Sequence, residues 1–192
     1  MKTYDNLFAE VAQPEALFLA WEEFRKGKTM KPDVQLFERE LEQHIFTLHR
    51  ELVAEGYRHG PYQGFHIADP KPRHIHKACV RDRVVHHAVF TVLSRIFEPT
   101  FIGSSYSCRK GKGTHRGVAA VQRMIRRVSR NGTRPCYALK CDIKKFFDSV
   151  DHNILLGILQ RRISDERFHR LLTAIVESYS SNLRERERER ES

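Results

Sequence analysis

Cysteine is scarce in this sequence: Cys79, Cys108, Cys136 and Cys141 are the only four among 192 residues. No Cys-x-x-Cys occurs and no Cys/His pairing has zinc spacing, so the thiols are read as reduced, with neither a disulfide scaffold nor a structural metal expected. Long apolar runs are missing too. Nowhere do 18 apolar residues stand together, and Met1-Lys2-Thr3-Tyr4-Asp5 is followed by no signal-peptide core. Both absences argue for a cytoplasmic chain with no membrane partner. With 40% apolar and 30% charged residues the composition is that of a folded protein, and the length suits one large domain or two small ones. The most informative absence is local. Between Pro99 and Cys141 there is no Asp or Glu at all.

That acid-free stretch holds ten cations: Arg109, Lys110, Lys112, Arg116, Arg123, Arg126, Arg127, Arg130, Arg134 and Lys140. The remaining residues carry equal numbers of acidic and basic groups, so the net charge of +10 belongs to this block. Such a block suits a polyanion, because each neutralised phosphate releases condensed counterions; the plainer alternative is a solvated basic face. Spacing favours the first. If 117–130 is a helix, Arg116, Arg123, Arg127 and Arg130 share a stripe roughly 60° wide. Val118, Val121, Ile125 and Val128 fall opposite and are expected to pack on a core. Just before it, residues 105–115 form a basic, glycine-containing loop with Tyr106, a composition in which backbone amides and cations approach phosphates while a ring offers stacking.

Other elements follow from periodicity. Leu17, Trp21 and Phe24 have helical spacing over 15–26. Val34, Phe37, Leu41, Ile45, Leu48 and Leu52 make one helical stripe over 34–53. Residues 65–68 and 73–76 alternate around Asp69-Pro70-Lys71-Pro72 and read as a β-hairpin. A helix is expected over 78–97, with Val84, Val85, Ala88, Val92 and Ile96 as its apolar residues. Residues 137–143 alternate as a strand, with Tyr137, Leu139, Cys141 and Ile143 on one side. A helix over 151–160 follows, and Ser164 is expected to cap a last helix through Phe168, Leu171, Leu172, Ile175 and Tyr179. The Arg-Glu repeats after Leu183 offer no apolar face and are set aside as non-native in character, with the expectation that the chain stops before its domain does.

Asp142, near the end of the expected strand and opposite its apolar side, suits a hard divalent cation that also binds phosphate oxygens. An Asp capping a turn is the alternative. Four ordered blocks then carry a family resemblance. They are Phe65-x-Ile67-x-Asp69-Pro70-Lys71-x-Arg73-x-Ile75, Val80-Arg-Asp82-Arg83-Val-Val-His86-His87, Ser105-Tyr-x-Cys108-Arg109-x-Gly111-Lys112-Gly-Thr-His115, and Leu139-x-x-Asp142-Ile-x-x-Phe146-Phe147-Asp148-Ser-Val-Asp151-His152. Together they resemble bacterial reverse transcriptases (RNA-directed DNA polymerases) of the group II intron and diversity-generating retroelement type.

The resemblance implies an α+β right-hand polymerase fold. N-terminal helices would occupy 1–56, fingers with their β-hairpin 57–135, the first strand and helices of the palm 136–182, and a low-complexity tail 183–192. It implies two Mg2+ ions in nucleotidyl transfer, with Asp142 as catalytic carboxylate and metal ligand and the Ile143 carbonyl assisting. Lys71 and Arg73 would hold the incoming dNTP, Phe147 would stack on its deoxyribose, and Phe146 would face the core. Arg109, Lys110 and Lys112, with Arg123, Arg127 and Arg130, would bind the template. Implied partners are an RNA template, a DNA or RNA primer, dNTPs and an accessory retroelement protein. Asp82 and Arg83 are read as ion-pairing supports of the fingers, and Asp148 and Asp151 as helix caps. His86 and His87, being adjacent, cannot share a helix face and are not read as metal ligands.

One departure qualifies the resemblance: the sequence contains no Tyr-x-Asp-Asp and no Asp-Asp anywhere. One of three expected metal carboxylates is present, so the chain alone is expected to be inactive. Two alternatives from other classes remain, a non-catalytic RNA-binding module and a pseudo-polymerase subunit.

Overall fold

The computed structural model describes residues 2–68, 71–144 and 146–179, with the side chain of Asp148 excepted. The Arg-Glu tail, the Asp69-Pro70 tip of the hairpin and the capping role of Asp148 lie outside the described residues. Two compact units emerge, one made of residues 1–93 with 147–192 and the other of 94–146.

In the first unit, α1 (Leu7–Ala12) and α2 (Pro14–Arg25) meet at Gln13, with Pro14 in the first turn of α2, where its missing N–H costs nothing. Helices α3 (Pro32–Arg39) and α4 (Leu41–Val53) follow. The single stripe expected over 34–53 is therefore broken at Glu40, whose φ of −122° and ψ of 36° leave the helical region. Val34, Phe37, Ile45, Leu48 and Leu52 stay buried across the break, and only Leu41 is half-exposed. The Phe37 and His44 rings stack at 4.5 Å over the joint, and Arg25 of α2 holds Glu38 of α3 at 2.6 Å. Trp21 is the centre of this core, 5.2 Å from the Phe37 ring and 5.9 Å from Phe24.

Two helices from the far end of the chain complete the unit, α8 (His152–Gln160) and α9 (Glu166–Glu177). Asp151 caps α8, its carboxylate accepting from Ile154 N at 3.0 Å, in line with expectation. The cap of α9 is Asp165, not Ser164. Asp165 accepts from Phe168 N at 2.9 Å and also from Phe8 N of α1 at 2.7 Å, so one carboxylate serves two helices. Ser164 is occupied elsewhere, its N–H and Oγ both directed at the Tyr4 carbonyl.

The hairpin is present, with β1 (Gln63–Ala68) and β2 (Pro72–Lys77) antiparallel and Phe65 opposite Ile75, His66 opposite His74. It leads into α5 (Val80–Phe97), the helix expected over 78–97, on which the apolar Val84, Val85, Ala88, Val92 and Ile96 are buried.

The second unit holds a short 3-10 turn (Glu98–Thr100), a loop, α6 (Thr114–Val128) and an irregular segment that ends near the short helix α7 (Phe146–Ser149). Three expectations are corrected here. Residues 137–143 form no strand, and Tyr137 and Leu139 are 95% and 90% exposed. A strand needs a neighbour to satisfy its backbone, and among the described residues the only sheet is the β1–β2 pair. The apolar face of α6 is also uncovered: Val118, Val121, Met124, Ile125 and Val128 are exposed, and within the helix only Ala120 is buried. Phe146, expected in the core, is half exposed.

Candidate nucleic-acid interface

Helix α6 displays Arg116, Arg123 and Arg127 in one line, all exposed, with Arg126 to one side. The line stops there. Arg130 lies past the helix in a left-handed turn (φ 47°) shared with Asn131 and Gly132, so it leaves the expected stripe. Asn131 N donates to the Arg126 carbonyl and Arg134 N to that of Ser129, closing the helix end.

The preceding loop is braced by its own cations. Arg109 pairs with Glu98 at 2.7 Å and donates to the carbonyls of Ile102 and Ser105 at 3.0 Å each, with its side chain only 11% exposed. In this structure Arg109 braces the loop, and a guanidinium whose donors are engaged by protein oxygens has fewer to offer a phosphate. Lys112 likewise donates to the Gly103 carbonyl at 2.6 Å and lies over the Tyr106 ring. Lys110 is exposed. Gly113, at φ 94°, makes the turn into α6, and its N–H donates to Tyr106 O at 3.0 Å. Tyr106 thereby lies against Gly117, and a groove of about 470 Å³ opens between Tyr106, Ser107, Thr114, Gly117, Val118, Val121 and Gln122. Lys110 and the α6 row are thus accessible beside a ring and an apolar groove, and Arg130, Arg134 and Lys140 are exposed further along the same block.

Lys71 and Arg73 are exposed on the hairpin and Phe147 is 85% exposed on α7, all in the first unit; Asp142 and Ile143 are exposed in the second. No group of three His, Cys, Asp or Glu side chains suited to a metal ion occurs among the described residues. Mg2+ sites of this kind use one or two carboxylates with substrate phosphates and waters. Asp142 can supply one such carboxylate, but the described residues do not make a two-ion site.

Sequence reasoning missed the polar hub beneath the hairpin. Asp82, fully buried, accepts from Tyr57 Oη at 2.9 Å, Gly60 N at 2.9 Å, Cys79 Sγ at 3.0 Å and Arg81 at 3.0 Å. Burial pushes its carboxyl up, but the bonds from Cys79, Tyr57 and Gly60 outweigh it and hold it below the usual range. Tyr57 is pushed up by the same burial and by Asp82. Arg83 pairs with Asp33 at 2.6 Å and Lys77 pairs with the same oxygen at 2.7 Å, which ties α5 and β2 to α3 as the ion-pairing reading required. Arg81 also pairs with Glu51 of α4.

Next to the hub, His59 Nε2 and His86 Nε2 lie 3.2 Å apart, and His59 Nδ1 is 2.6 Å from the Gly60 carbonyl. His59 donates through Nδ1 to that carbonyl, and the two facing Nε2 atoms share a single proton between them. Burial, then the nearby His59, pushes the His86 ring down to about 4 from 6.5. The unfolded chain takes up this proton below 6.5 while the folded one does not, so stability falls with pH through that window. From pH 7.5 to 5.0 the loss is about 2 kcal/mol from this group. Urea denaturation at the two pH values checks it, and in His86→Gln the drop shrinks by that amount.

No protein-family model matches the chain. It is 29% identical over 133 residues to Protein YkfC of Escherichia coli (strain K12), covering 68% of this chain and 34% of that protein. It is 23% identical over 177 residues to the group II intron-encoded protein LtrA of Lactococcus lactis subsp. cremoris, covering 89% of this chain and 28% of LtrA. It is 32% identical over 101 residues to nuclear intron maturase 4, mitochondrial, of Arabidopsis thaliana, covering 53% and 12%. The chain spans about a third or less of the length of these curated relatives.

Proposed function

We propose, starting from this relatedness to group II intron-encoded proteins and intron maturases, that the chain is a fingers and partial-palm portion of an RNA-directed DNA polymerase of a retroelement. Its own residues grip an RNA template and meet the incoming nucleotide. The observation that carries this reading is the acid-free block from Pro99 to Cys141, whose arginines stand exposed in a row on α6. Phosphate contacts of that kind give affinity and position, while base pairing supplies sequence. Lys71 and Arg73, exposed on the hairpin, present two charges to a triphosphate. Asp142 contributes one carboxylate to an Mg2+ site whose other carboxylates the described residues do not supply. Primer, dNTPs and an accessory protein belong to the same proposal.

The single carboxylate also favours a second reading, a non-catalytic RNA-binding module. The two separate on nucleotide binding. With magnesium present, Lys71→Ala and Arg73→Ala are each expected to weaken dGTP binding about tenfold, the effect of losing one charge-assisted contact, while RNA affinity is unchanged. Calorimetry measures both. A wild-type chain that binds RNA but no dGTP establishes the second reading. Because the chain has no Tyr-x-Asp-Asp, primer extension by it alone is expected to stay at the level of Asp142→Ala.

A further inference from the structure

A two-stranded hairpin is marginal on its own, and every residue of β1 is exposed, so what fixes β1 and β2 must lie at their stem. Ring contacts supply part of it: His76 and Tyr62 each lie 5.5 Å from Tyr179, and Tyr62 Oη is 3.0 Å from Ser178 Oγ. Lys77 at the end of β2 adds its ion pair with Asp33, and four further donors converge on one side chain. Gly60, three residues before β1, and Cys79, two residues after β2, both donate to the same Asp82 oxygen, Oδ2. Tyr57 and Arg81 donate to Oδ1. The incoming and outgoing strands are thus clamped to the first turn of α5 by one carboxylate. The fit is close, for a Cβ on Gly60 would lie 3.1 Å from Oδ2.

We infer that Asp82 is a positioning residue for Lys71 and Arg73, fixing the stem of the hairpin that presents them to a triphosphate. This rests on the reading of those two cations as the triphosphate-binding pair. Carboxylate chemistry matters because four donors share two oxygens: an amide offers one acceptor atom and sets its own N–H2 against donors on the other side. Asp82→Asn therefore keeps the shape and loses half the clamp. Tyr57→Phe removes a single bond and guards against a variant that fails to fold.

The experiment measures three things on the wild-type chain, Asp82→Asn, Tyr57→Phe, Lys71→Ala and Arg73→Ala: amide hydrogen exchange, dGTP binding with magnesium, and binding to a single-stranded RNA. In Asp82→Asn, exchange over 63–77 should rise and dGTP affinity fall, each about tenfold, while amides of α2 and α4 and RNA affinity stay within about twofold. Tyr57→Phe should lie between. Unchanged exchange over 63–77 overturns the inference, as does a parallel loss of RNA affinity, which would mark a general structural defect. If the hairpin loosens and dGTP binding holds while Lys71→Ala or Arg73→Ala weakens it, positioning fails and the triphosphate reading stands. If neither cation variant affects dGTP, the triphosphate reading itself fails and takes the inference with it.

Discussion

Glutamine at Arg116, Arg123 and Arg127 together is expected to weaken binding to single-stranded RNA by roughly 10- to 100-fold near 0.1 M salt. It should also make the slope of log affinity against log salt shallower by about two units, since each lost phosphate contact removes about 0.7. Glutamine has nearly the helix propensity of arginine, so α6 should persist and the loss report charge alone. The same charge removed at Lys26, Lys31 and Arg39, exposed on the first unit, should leave the slope within about half a unit. Equal effects of the two triple variants would return the α6 row to the plain reading of a solvated basic face.

The second large effect belongs to Asp165. Its two oxygens satisfy Phe8 N and Phe168 N, and both bonds are buried. Asp165→Ala strands two backbone donors, each costing about 1–3 kcal/mol when buried, so a loss of about 2–6 kcal/mol is expected. Phe168 is fully buried, and α1 begins one residue before Phe8, so the loss falls where α1 meets α9. Asp165→Asn keeps one acceptor and should lose about half as much. Chemical denaturation of both variants measures the difference, and a loss under about 1 kcal/mol for alanine would show that water or another acceptor replaces the carboxylate.

Much of this architecture was legible in residue order because local signals coincide with local structure. The hairpin announced itself by alternation around a proline-rich tip, α5 by its valine stripe, and α8 by the Asp151 cap. What was not legible depends on partners. Alternation over 137–143 describes what a strand would present but cannot supply the neighbour that makes one. The period of α6 gives an apolar face without saying what covers it. Arg109 counts as a cation in sequence, yet Glu98 and two carbonyls consume its donors. The break at Glu40 interrupts a continuous stripe, and α1, six residues long, is too short for periodicity to show. The Asp82 hub was invisible for a related reason: its donors lie at Tyr57, Gly60 and Cys79, and only the fold brings them to one carboxylate.

The central claim is that the acid-free block, through Lys110 and the α6 arginines, is the surface that holds RNA. Photo-crosslinking of a 4-thiouridine-containing single-stranded RNA, with adducts located by mass spectrometry, tests it most directly. Adducts concentrated between residues 105 and 130 are the predicted result; adducts confined to residues 2–56, with none on the loop or α6, would contradict it.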